Sequence, residues 1–139
     1  GYLKKENENW YHALARWLDR GCDIEYMLVS PEIDPAVKGK FDKLAQEHPN
    51  ARFVVKVVRL QEGIDPRDEA LLQRWKTFHF CLFTDPAQLW VETNHPTEEN
   101  TAYDCFYAPP PVAEGMADYK ILQTQFNRIS ARYCEQVLP

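Results

Sequence analysis

In NENWYHALARWLDRG the apolar residues Trp10, Leu14, Trp17 and Leu18 recur at the spacing of one helical face. Asn7 is placed to cap that helix and Gly21 to stop it. CDIEYMLVS alternates Cys22, Ile24 and Tyr26 against Asp23 and Glu25, then turns wholly apolar, which predicts a strand entering a covered sheet. In IDPAVKGKFDKLAQEHPN, Asp34 is a cap, Pro35 fits the first helical turn, and Val37, Phe41 and Leu44 share an inward face; Pro49 and Asn50 end the helix. ARFVVKVVRL, with five Val or Phe residues, predicts a buried strand. DPRDEALLQRWK repeats the Asp-Pro helix start at Asp65 and Pro66.

The second half of the chain has a different rhythm. FHFCLFT and QLWVET predict two strands across a short turn at Asp85 and Pro86, and TAYDCFYA a third. The run Pro109, Pro110 and Pro111 predicts a linker-like break. Beyond it, Tyr119, Leu122, Phe126, Ile129 and Tyr133 recur every three or four residues, as on a long amphipathic helix. Only about two heptads are sustained, fewer than the ~3–4 a coiled coil needs, so core packing is expected. A homodimer through this helix is the alternative. Helices and strands in this order predict an α/β or α+β fold, with α/β favoured, a mixed β-sheet flanked by helices around one core, with residues 1–139 as a single domain. Gly1, where an initiator methionine would stand, predicts a piece cut from a longer protein.

Composition narrows the function classes. A chain of 139 residues with 45% hydrophobic residues can bury a substantial core. The formal net charge of −5 disfavours nucleic acid as a partner of this domain alone, because a phosphate backbone is gripped by Lys and Arg. No apolar run approaches the ~18 residues of a membrane span. Cys22, Cys81, Cys105 and Cys134 are scattered singly, without the paired spacing of a zinc site, and three lie in apolar runs as buried free thiols do. A reducing, cytoplasmic setting with no metal and no cofactor is the expectation.

Candidate chemistry centres on one strand. In FHFCLFT, Phe78, Phe80 and Leu82 point one way, while Thr77, His79, Cys81 and Phe83 point the other. His79 and Cys81 cannot form a protease dyad, since residues two apart on a strand point in parallel. Neither Ser30 nor Ser130 sits in a nucleophile elbow. Glu62, Asp65, Asp68 and Glu69 read as a solvated helix start, and Glu98 and Glu99 as exposed loop residues.

The order of elements, with ALARWLDRGCDIEYMLVS, the hairpin HFCLFTDPAQLWVETN and the helix around Phe126 to Ser130, resembles one half of the phospholipase D-like fold over residues 10 to 133. The resemblance implies a hairpin motif His-x-Lys-x4-Asp followed by Gly-Ser and an asparagine. In that motif the histidine attacks phosphorus, and lysine and asparagine hold the phosphoryl oxygens; two halves complete one site. Carried over, His79 matches the nucleophile, but Cys81 occupies the lysine position and Asp85 falls one residue early. Thr93, Asn94 and His95, then Pro96, stand where Gly-Ser would follow. A phosphoryl transition state needs cationic donors on its oxygens, and a thiol supplies none.

The resulting expectation is a non-catalytic sensing or binding domain, a regulatory part of a larger protein such as a transcription regulator, with a small molecule or a protein as partner. Its candidate ligand-binding residues are His79, Cys81, Trp90, Glu92, Asn94 and His95. Three alternatives stay open: a dimeric phosphodiesterase or nuclease using His79, a half-buried strand histidine satisfied by its neighbours, and an oligomerisation module. A metal site on His79 and His95 lacks a third ligand of diagnostic spacing.

Overall fold

The computed structural model describes residues 8–30, 32–59, 63–76, 79–84, 86–94 and 104–138. The chain forms two compact units, Gly1–Gln61 with Arg132–Pro139, and Glu62–Ala131. The expected α/β character holds. The single mixed sheet does not, for the described strands form two three-stranded sheets.

In the first unit, α1 (Glu8–Asp19) leads to β1 (Ile24–Leu28), α2 (Pro35–Glu47) and β2 (Phe53–Val58), and β6 (Cys134–Leu138) returns to it. Gly21 stops α1 as its position predicts. At φ 81° it adopts the left-handed turn that residues with a Cβ avoid. Its N–H donates to Leu18 O at 3.0 Å and that of Cys22 to Trp17 O at 3.0 Å, which is the bonding of a Schellman cap. Asp34 caps α2 by accepting from the Ala36 N–H at 2.9 Å, and Pro35 opens the helix where no N–H is needed.

Parallel neighbours need a crossover, and α2 provides it between β1 and β2. β6 pairs antiparallel with the other edge of β2, which makes β2 the middle strand. A middle strand has both edges hydrogen-bonded, and here five of its six side chains are buried as well. This is why its sequence is a continuous apolar run instead of an alternation. Tyr11, Leu14, Leu18, Val37, Phe41, Leu44, Phe53, Val55 and Leu138 form the buried core of this unit, with Trp10, Trp17, Ile24 and Tyr26 packed against it. Phe41 lies at its centre, 5.4–5.7 Å from the rings of Tyr11, Tyr26 and Phe53. Asn7 lies outside the described residues.

In the second unit, α3 (Pro66–Trp75) precedes the meander β3 (Phe80–Thr84), β4 (Ala87–Asn94) and β5 (Asp104–Ala108), then α4 (Pro110–Ala113) and α5 (Ala117–Tyr133), whose last two residues count with the first unit. Asp65 accepts from the Arg67 N–H at 2.9 Å, repeating the Asp-Pro start. Thr84 pairs with Ala87, so the hairpin closes over two residues, of which Asp85 lies outside the described set.

One side of this sheet carries Leu82, Leu89, Val91 and Ala108, packed with Ala113, Met116, Tyr119 and Leu122. Phe80 meets Trp75 at 5.2 Å and Phe126 at 6.4 Å. The terminal helix therefore spends Tyr119, Leu122, Phe126 and Ile129 on core packing. Phe78 and Thr77 lie outside the described residues.

Two expectations need correction. The proline run is not a linker: Pro109 O accepts from the N–H groups of Val112 and Ala113 at 3.0 and 2.8 Å, and Pro110 and Pro111 begin α4. First-turn N–H groups have no helical acceptor, so two imino acids there cost nothing. Asp68 is not solvated; it is 2% exposed and bonded by Arg128 Nη2. Lying in the first turn of α3, it faces inward with Leu71, Leu72 and Trp75. Among the described residues no helix is long and apolar enough to cross a membrane.

Candidate functional site

The pairing register of the β3–β4–β5 sheet decides which side chains share its second face. Residues directly opposite in an antiparallel pair point the same way. Cys81 faces Trp90 and Phe83 faces Gln88. Across the next ladder Trp90 faces Tyr107 and Glu92 faces Cys105. His79 closes the set, because its carbonyl accepts from the Glu92 N–H at 2.9 Å. Three cross-strand rows result: His79, Glu92 and Cys105; Cys81, Trp90 and Tyr107; Phe83 and Gln88.

Four of the six residues expected from sequence, His79, Cys81, Trp90 and Glu92, thus meet on one face. Asn94 lies on β4 beyond a register irregularity at Glu92 and Asn94. Its side chain and His95 lie outside the described residues, as do Glu62, Glu98 and Glu99. The register also recruits Gln88, Cys105 and Tyr107, which the sequence reading left out. Their signal was the alternation in DCFYA, legible only once that strand is paired to QLWVET.

One row of this face brings His79 against Glu92. Nδ1 lies 3.3 Å from both carboxylate oxygens, a forked contact at the long end of hydrogen-bond range. The Glu92 side chain is 1% exposed and that of His79 39%. Glu92 thus sits behind the ring and His79 faces outward. An Nδ1–H directed at the carboxylate fixes the ring tautomer and directs contacts from outside toward Nε2.

Cys81 sits beside this pair, and burial pushes its thiol up to about 12. A thiol so placed stays protonated and uncharged near neutrality. Tyr107 donates its hydroxyl to Gln88 Oε1, tying the ring to β4. Among the described side chains of this face none is Lys or Arg.

All four cysteines are free thiols, with Cys105 exposed and Cys22, Cys81 and Cys134 half-buried. Among the described residues no three His, Cys, Asp or Glu side chains are grouped to hold a metal ion.

A histidine with partners at both ring nitrogens lies elsewhere. His48, at the C-cap of α2, has Nδ1 2.8 Å from Leu44 O and Nε2 2.6 Å from Asp19 Oδ1, with its side chain 11% exposed. Two acceptors facing one ring call for protons on both nitrogens, and the ring is accordingly more basic than usual. The Leu44 carbonyl is the largest cause, opposed by desolvation and reinforced by Asp19 and Glu47. The signal was present in the sequence, since a histidine just before the Pro49-Asn50 stop is placed to bond the last carbonyls of its helix. Comparison of the chain with protein-family models, curated proteins and solved structures finds no match.

Proposed function

We propose that the chain is a non-catalytic sensing or binding domain of phospholipase D-like fold, a regulatory part of a larger protein such as a transcription regulator. Its ligand face is the second face of the β3–β4–β5 sheet. The observation that carries this reading is Cys81. On the phospholipase D-like reading it stands at the position of the motif lysine, and its half-buried thiol, pushed up to about 12, supplies no cation there. Phosphoryl transfer depends on such fixed charge, and losing one electrostatic donor costs about 10²–10³ in rate. The absence of Lys and Arg among the described side chains of this face points the same way.

A second reading is favoured by one contact. A histidine held at Nδ1 by a buried carboxylate is oriented as a nucleophile is, so a dimeric phosphodiesterase donating one His79 from each copy is the competing proposal. Assaying bis(p-nitrophenyl) phosphate with and without EDTA, for the chain and for His79→Ala, separates the two. The binding reading expects no turnover above background in either. Turnover abolished by His79→Ala would establish the nuclease-type reading instead.

A further inference from the structure

β5 pairs with β4 on one side, and no described strand lies on its other. Asp104, Cys105, Phe106 and Tyr107 are all exposed, and Ala108 is buried. Phe106 stands opposite Val91 on the packed side of the sheet, and Tyr107 opposite Trp90 on the second face. Phe106 is 44% exposed and Tyr107 51%. A partner lying on either face of the sheet would cover one of these rings. A partner arriving along the edge would cover both.

Sheet edges are ordinarily guarded by charge, by proline or by a bulge. Here Asp104 and Pro109 bound the strand, and Cys105, Phe106, Tyr107 and Ala108 between them carry no charge. We infer that this edge is where two copies of the chain meet, β5 against β5, antiparallel about a twofold axis at Phe106. That register sets Phe106 on Phe106, Cys105 on Tyr107 and Asp104 on Ala108. All five residues of the strand are then paired, and no two carboxylates face each other. A parallel pairing would set Asp104 on Asp104, and like charges directly opposite are destabilising. Main-chain hydrogen bonds supply the affinity, as they do wherever a strand is added to an open edge. Both copies use the same edge, so the contact closes on itself and stops at a dimer. Five residues a side is far fewer than the roughly 20–30 of a standard interface, so the dimer is weak.

Sedimentation velocity from about 10 μM to about 1 mM, the range suited to so small an interface, tests this. The chain should pass from monomer to dimer and no further. Added salt should tighten the dimer, because each copy carries a net charge of −5. Phe106→Lys sets two ammonium groups face to face at the axis and should weaken association at least about tenfold. A thiol trap reads the register whether or not that variant folds. In a Cys105→Ser background, Phe106→Cys should be captured as a disulfide-linked dimer by oxidised glutathione. The Cys105→Ser parent should not, nor should Ile121→Cys in it, a change at an exposed position of α5. A monomer at every concentration, assembly beyond the dimer, or association that salt dissolves would overturn the assignment. So would a folded Phe106→Lys that still dimerises, or capture of Ile121→Cys as readily as Phe106→Cys.

Discussion

Replacing Asp19 by asparagine isolates one arm of the His48 contact and turns a geometric observation into a pH-dependent stability. The neutral ring has one N–H, so it can satisfy either Leu44 O or Asp19 but not both. The folded state therefore holds the second proton more tightly than the unfolded chain, whose imidazole titrates near 6.5. A group whose folded pKa is raised contributes its full stability below the unfolded value and loses it as pH rises through the folded value. Asp19 is 68% exposed, so its charge is screened and its share is that of a surface ion pair, about 0.2–1 kcal/mol. A cationic ring at a helix C-terminus adds about 0.3–1 kcal/mol.

The pH dependence should therefore amount to about 1 kcal/mol, read as urea midpoints at pH 5.5 and 8.5, alongside an NMR titration of the His48 ring. Asp19→Asn should lower the ring's titration midpoint and cost about 0.2–1 kcal/mol at pH 5.5. At pH 8.5 the loss should vanish or reverse, because the asparagine amide can donate to a bare Nε2. A wild-type midpoint at or below 6.5, or an Asp19→Asn penalty equal at both pH values, would refute the reasoning.

Two further outcomes follow from burial. Arg128→Met should destabilise the chain by about 3 kcal/mol, because the buried Asp68 carboxylate loses the Arg128 guanidinium; Asp68→Leu with Arg128→Met should recover most of that loss in denaturant titrations. With a maleimide at pH 8, mass-mapped over time, Cys105 should be modified first. Cys81 and Cys134, whose thiols burial pushes up to about 12 and about 11, should lag by at least about tenfold, and equal rates would contradict their placement.

Local chemistry made much of this architecture legible. The Asp-Pro starts at Asp34 and Asp65, the Gly21 stop, the buried run of β2 and the two-residue hairpin turn each encode their geometry within a few residues. What escaped the sequence is what depends on distant partners. Cys134–Leu138 has no strong alternation and becomes a strand because β2 offers it an edge. Asp68 looks like any first-turn carboxylate until Arg128, sixty residues later, is set against it. The division into two sheets is likewise a matter of which strands pair, and alternation specifies a strand's faces but not its neighbour. At the candidate site, alternation along β3 sufficed to put His79 with Cys81. Trp90 and Glu92 joined them through the hairpin turn, whereas Cys105 and Tyr107 needed the register of the next ladder.

The pairing of Val55 with Leu138 sets an order of events for a ribosome-bound chain. When the first two strands have emerged, the edge of β2 that will receive β6 still presents unmatched N–H and C=O groups. The residues that will cover them have yet to be translated. The whole meander and its helices must pass through the exit tunnel before that edge is sealed, a long closure of the kind that slows folding. Deleting Cys134–Leu138 would leave that edge bare, and an uncovered strand of Phe and Val is an invitation to aggregate.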